Sequence, residues 1–286
     1  MYKKLRQAWP FLLPGLAGLL IFYVIPFVGG IWYSVTDGTF ENKFVGFDNY
    51  VAVWQNPMFR QGMTNTAELS LICAPLLFFL SFVLAAGLHK LRPAGGFFRS
   101  SVLMPYLMPS SAILIIWLLW FDYGGPVNRL LTALGGSRID WLMGAELRVP
   151  VVLMFLWKNL GFCLVIFLSA LQSIPESLYE YATLEGASFM KQTFRITLPL
   201  VIPSAFLVAI MSFVSAFRIF KEVYFIGGAY PEPELYTLQN YMNNMYRNLN
   251  YQNVTTAAYI FAVIVFVLFG LLFLSQRRAL KRLGGD

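Results

Sequence analysis

Charge is what this chain of 286 residues has least of: only 12% of it is Asp, Glu, Lys or Arg, about half the share of an average soluble domain. One histidine and two cysteines are present. His89 has no second histidine or nearby carboxylate cluster to work with, and no G-x-S-x-G occurs, so nothing spells a catalytic centre. Cys73 and Cys163 both fall in apolar stretches, without disulfide or metal-ligand spacing. They read as small core hydrophobes, and no metal is expected. There is no G-x-x-x-x-G-K followed by Ser or Thr, so any ATP hydrolysis would belong to another chain.

What the chain has instead is apolar length: 58% of its residues are hydrophobic. No charge stands between Arg6 and Asp37, Glu68 and His89, Arg99 and Asp122, Arg195 and Arg218, or Arg247 and Arg277. Lys158 alone interrupts the run from Val149 to Pro175. About 20 apolar residues cross a bilayer core as a helix. The sequence therefore predicts an all-α integral membrane protein, a single domain over 1–286. Its helices are expected at about 9–35, 65–88, 101–121, 149–171, 200–224 and 256–275. Buried helices of a soluble core would need a polar domain to cover them, and none is present. The first run is too long for a cleaved leader and lacks an A-x-A site. Prolines at 26, 75, 105, 109, 199 and 203 predict kinks or irregular helix entries.

The net charge of +7 distributes by side rather than forming a nucleic-acid patch. Twelve of the 21 basic residues fall before helix 1, between helices 2 and 3, between helices 4 and 5, or after helix 6. Lys43, Arg60, Arg129, Arg138, Arg148 and Arg247 make up the six of the opposite loops. The positive-inside rule then puts both termini in the cytoplasm. No inverted repeat is visible, which argues against the commonest build of a secondary carrier.

The segment 173–199 is polar, small-residue-rich and charged with both signs. Ser173 and Glu176 have capping-box spacing, with Pro175 expected in the first turn. A helix over about 174–184 should follow, with Ala182 and Gly186 four apart on one face. Gly186 is costly inside a helix and predicts a sharp turn. A second helix from about Ser188 should carry Phe194 and Ile196 back to the membrane.

Glu180, Ala182, Gly186 and Ala187 form E-x-A-x3-G-A, with I-x-L-P beginning at Ile196. This pattern resembles the EAA loop of permease subunits in binding-protein-dependent ABC importers, and most closely the maltose-type carbohydrate branch. Tyr181 stands where that family usually has Ala, and Glu185 where it usually has Asp. Further likenesses are the P-x3-P-G start, N-T at Asn65, F-R-S-x4-P, G-P-V-N-R-L-L, W-K-N-L-G-F and F-x-I-F-K-E-V-Y. The start resembles the first of the two unlike permeases such systems pair. The resemblance implies a six-helix type I importer fold in a bacterial cell membrane. It also implies that Glu180, Tyr181, Ala182, Glu185, Gly186 and Ala187 dock on an ATPase. The implied partners are a second permease, two copies of an ATPase subunit that hold ATP and Mg, and an extracytoplasmic solute-binding protein. The implied cargo is a sugar or oligosaccharide.

Four polar residues lie inside apolar runs: Lys158 and Asn159 in helix 4, Arg218 and Glu222 in helix 5, with Lys221 beside them. A charge at the bilayer centre costs at least about 2.5–3.5 kcal/mol, so these should face protein or water. One reading makes them a polar lining of a substrate path; the other makes them an ion pair that orders the bundle. Arg218 and Glu222 would share a helix face in either case. An ATP-independent carrier or channel is the alternative function, and it would need a coupling-ion site that these few charges do not spell.

Overall fold

The computed structural model describes residues 2–39, 41–90 and 95–284. Among them are six helical segments long and apolar enough to cross a membrane. In chain order the helices are α1 (Tyr2–Leu19), α2 (Ile25–Ser34), α3 (Asp48–Gln55), α4 (Pro57–Lys90), α5 (Gly95–Leu107), α6 (Ser110–Phe121) and α7 (Pro126–Ala133). They continue with α8 (Arg148–Gln172), α9 (Glu176–Leu184), α10 (Phe189–Gln192), α11 (Leu198–Phe217), α12 (Phe220–Gly227), α13 (Leu238–Arg247) and α14 (Tyr251–Gly284). The chain divides into two compact units, Met1–Arg60 with Tyr241–Val265, and Gln61–Asn240 with Phe266–Asp286.

In the first unit, α1 and α2 are joined by a wide π turn over Leu20–Val24, closed by the Ile25 amide on the Leu20 carbonyl. Pro26 explains it: its ring would collide with the carbonyl four residues back, so the turn before it opens by one residue. The same device recurs in the second unit. There the Leu198 amide reaches Thr193 across a π turn at Thr193–Thr197, and Pro199 follows. Helix α4 starts at Pro57, well before its apolar run. The Asn56 side chain accepts from the Met58 and Phe59 amides at 2.9 and 3.3 Å, which caps that start.

The core of the second unit is built around α8. Val151, Phe155, Leu164, Phe167 and Leu168 of α8 are buried against Leu69, Cys73 and Leu77 of α4 and Val201 and Val208 of α11. Phe167 takes edge-on contacts from Phe78 and Phe82 at 5.4 and 5.3 Å between ring centres. The Gly of W-K-N-L-G-F is Gly161, and α5 lies directly on it: a Cβ there would stand 2.7 Å from the Val102 carbonyl carbon. No side chain larger than hydrogen fits that crossing.

Two expected membrane helices are broken. Helix 3 divides into α5 and α6 at Met108–Pro109, where Pro109 itself is extended at φ −57° and ψ 132°. Helix 5 divides into α11 and α12 at Arg218–Ile219, with no proline or glycine at the break.

Candidate functional site

Segment 173–199 folds as α9, a tight turn, α10 and the π turn into α11. The turn is a Schellman closure: the Gly186 amide bonds Thr183 O at 3.0 Å and the Ala187 amide bonds Ala182 O at 2.9 Å. Gly186 has φ +74°, a left-handed conformation that costs other residues about 1–2 kcal/mol. So the glycine marks a turn, as its cost in a helix implied. It lies beyond the helix end, however, and does not share a helical face with Ala182. The two are joined by the backbone closure instead.

The capping box does not form. Ser173 is helical and closes α8; its amide bonds Ser169 and Ala170 carbonyls, and its hydroxyl donates to Ala170 O at 2.7 Å. With that amide already bonded, the Glu176 carboxylate has nothing to receive from it. Pro175, extended at φ −60° and ψ 131°, occupies the cap position instead.

Side chains fasten this segment to itself. Gln192 donates to Thr183 Oγ1 at 3.0 Å and to the Ala187 carbonyl at 3.1 Å. The Tyr179 hydroxyl meets Thr197 Oγ1 at 2.9 Å. Ile196 packs on the core, while Phe194 points away from it. Nothing on α9 is buried. Tyr181, Leu184, Phe189, Met190 and Phe194 are all exposed, Leu184 by 84%. Glu185 is exposed with them and Ala182 and Ala187 are half-buried. A Cβ on Gly186 would meet nothing within 4 Å. Beneath the segment lies a cavity of about 530 Å³, lined by Phe82, Leu168, Tyr179, Glu180, Phe189 and Thr197. The result is a self-braced piece that turns apolar side chains outward, packs on the core through Ile174, Tyr179 and Ile196, and borders open space elsewhere. Tyr181 and Leu184 lie outside the membrane-length helices, where exposed apolar side chains mark an interaction surface.

The intramembrane polar residues arrange differently from their sequence pairing. Lys158 Nζ lies 3.1 Å from Glu222 Oε1, and the side chains are 17% and 8% exposed. The ammonium also donates to Ser110 Oγ. Arg218 does not share a helix face with Glu222, because α11 ends before it; it caps that end and is exposed, as is Lys221. Asn159 donates to its own helix, to Phe155 O at 2.8 Å. The structure thus brings Lys158 and Glu222 together and leaves Arg218 and Asn159 outside the pair.

A third polar cluster went unread in the sequence. Arg148, the first residue of α8, bonds Glu68 Oε2 at 2.8 Å, Asn65 Oδ1 at 3.1 Å and Glu234 O at 3.1 Å. Asn65 donates to Pro233 O and Tyr236 O at 2.7 and 2.9 Å, and the Leu238 amide donates to Thr66 Oγ1 at 2.9 Å. Gly62 lets that strand of backbone approach: a Cβ would be 3.0 Å from Thr237 and Leu238 atoms. This clamp gives a physical reason for the N-T pair at the head of helix 2.

Comparison with known proteins fits this architecture. Residues 78–283 match the family model described as "Binding-protein-dependent transport system inner membrane component". The trehalose/maltose transport system permease protein MalF of Thermococcus litoralis is 29% identical over 97% of this chain and 95% of its own length. The sulfoquinovosyl glycerol transport system permease protein SmoG of Agrobacterium fabrum is 32% identical over 73% of this chain and 68% of its own. A bacterial ABC transporter involved in import of the acidic polysaccharide alginate shares the fold, with TM-score 0.83 and 23% identity over 97% of this chain and 98% of that one. So does a bacterial alginate ABC transporter in complex with an alginate pentasaccharide-bound periplasmic protein, with TM-score 0.82 and 23% identity over 98% of each chain. Six membrane-length helices and a family model spanning most of the chain lead to one conclusion: this multi-pass membrane protein belongs to the family of binding-protein-dependent transport system inner membrane components.

Proposed function

We propose that this chain is the transmembrane permease subunit of an ATP-driven sugar or oligosaccharide importer. In that reading segment 173–199 docks on a separate ATPase subunit. The observation that carries it is the outward apolar surface of a segment whose polar groups are bonded internally. Tyr181, Leu184, Glu185 and the turn at Gly186 form its projecting end. Glu180 lines the cavity side, and Ala182 and Ala187 close the turn.

The segment then lies in the cytoplasm, which puts both termini there and agrees with the basic residues flanking helices 1 and 6. Two ATPase copies would hold ATP and Mg. A second permease would cover apolar helix faces this chain leaves exposed, and an extracytoplasmic solute-binding protein would deliver cargo. The sugar reading is supported by relatives that carry trehalose or maltose, lactose, and sulfoquinovosyl glycerol. Among the polar residues inside the apolar runs, Arg218 is the candidate for lining the path: it is a cation exposed at a helix break, and a water-filled path would spare it the cost of lipid.

The test is co-purification of the ATPase with this chain from its native membrane. Wild type should retain it, and Gly186→Trp should lose it with the permease pair intact. Retention of the ATPase by Gly186→Trp would contradict docking at this turn.

A further inference from the structure

Resting on that reading, we infer that Lys158 is a positioning residue of the transport cycle: its ammonium fastens the break in helix 3 to the break in helix 5. Ser110 is the first residue of α6, immediately after the break at Met108–Pro109. Glu222 is in the first turn of α12, immediately after the break at Arg218–Ile219. Both reach the same side chain on α8. An ammonium has three donors in a compact head, so one lysine can hold two elements at once.

The second break needs such a holder. Sharp helix interruptions normally trace to proline, to small residues or to a group inserted in the ladder. The sequence F-R-I-F-K-E around Arg218 has no proline or glycine. Its geometry is therefore set by tertiary contacts. Ile219 and Val223 are buried at 2% and 0% exposure and supply the apolar part. The Glu222–Lys158 pair supplies the directional part.

Packing gives the link a consequence. Helices α5 and α11, ahead of the breaks, lie along α8, whereas α6 and α12, beyond them, pack on each other and touch α8 through an apolar contact of Ile113, Leu114 and Ile226 with Met154. Lys158 is thus the polar tie between the α6–α12 pair and α8. Helix α8 runs directly into segment 173–199, so a displacement of that segment reaches α6 and α12 through Lys158 as the directional link beside the non-directional apolar contact at Met154.

The experiment uses the full importer complex in nanodiscs, with Cys73→Ala and Cys163→Ala as background. Spin labels go on Ile116→Cys in α6 and Leu153→Cys in α8, both exposed positions. Pulsed dipolar spectroscopy reads the distance without nucleotide and after trapping with ATP and vanadate. Unaltered Lys158 should give one narrow distance in each state and a shift between them. Lys158→Met combined with Glu222→Gln removes both charges and strands neither. That variant should still hold its ATPase and hydrolyse ATP at the basal rate, but show a broad distribution and no nucleotide-dependent shift. The exchange Lys158→Glu with Glu222→Lys should restore the shift, because Ser110 can donate to a carboxylate as readily as it accepts from an ammonium. A neutral double variant that shifts like wild type overturns the inference. So does one that no longer assembles, since the pair would then be structural only. If unaltered protein recruits no ATPase, the proposed function and this inference fall together; if it does and only the spectroscopic result fails, the inference falls alone.

Discussion

Segment 173–199 and the Lys158–Glu222 site are two polar regions of an apolar chain, and they handle polarity in opposite ways. The first spends its hydrogen bonds on itself, through Gln192, Tyr179 and the Gly186 turn, and presents apolar side chains outward. The second buries its charges on each other and shows little to the surroundings. An outward apolar surface with satisfied backbone is built to be covered by another protein. An inward ion pair is built to hold helices of the same protein. Substitutions in the two regions should therefore separate into effects on stability and effects on partner binding.

The largest stability effect is expected at the buried pair. Lys158→Met alone strands the Glu222 carboxylate and should cost about 3–5 kcal/mol, read as a large fall in the unfolding temperature of the detergent-solubilised complex. Lys158→Met with Glu222→Gln should recover most of that loss. Equal losses in the single and double variants would show that the charge pair itself is not what matters.

Next comes the clamp at Arg148. Asn65→Ala removes the donor to two carbonyls and the acceptor for Arg148, for a loss of about 1–3 kcal/mol in the same assay. Proteolysis between Tyr230 and Tyr236 should quicken if this clamp holds the loop as the distances indicate.

A smaller effect separates backbone from partner at Gly186. Gly186→Ala keeps the turn at a cost of about 1–2 kcal/mol, and its methyl meets nothing within 4 Å. Binding of the ATPase should survive it, whereas Gly186→Trp pays the same backbone cost and should lose binding. The smallest stability change is expected at Leu184→Asp, within about 0.5 kcal/mol of wild type, yet this variant should fail to retain the ATPase.

How much was legible in the sequence follows the range of the interactions. Six membrane helices were readable because apolar run length is a local property. The Gly186 turn was readable because a glycine after a helical stretch has a local cost. The Ser173 capping box failed because Ser173 closes α8, and that helix takes its amide first. The Arg218–Glu222 face failed because the helix breaks between them, and the burial of Ile219 and Val223 that accompanies the break is tertiary. The Lys158–Glu222 pair spans 64 positions and the Arg148–Glu68 pair 80. No spacing rule reaches that far. Lys158 and Glu222, charges standing inside apolar runs, were the local hint of this site; which charges would pair, and that Ser110 joins them, was not legible.

The most direct test of docking is a photo-crosslinking amino acid placed at Leu184, with Met143 as the control, in cells that express the whole importer. Both side chains are exposed, so labelling depends on what lies against them. Docking at this segment predicts a covalent adduct between position 184 and the ATPase subunit, and none from position 143. An adduct with the solute-binding protein at 184, or with the ATPase at 143 and not 184, would contradict it.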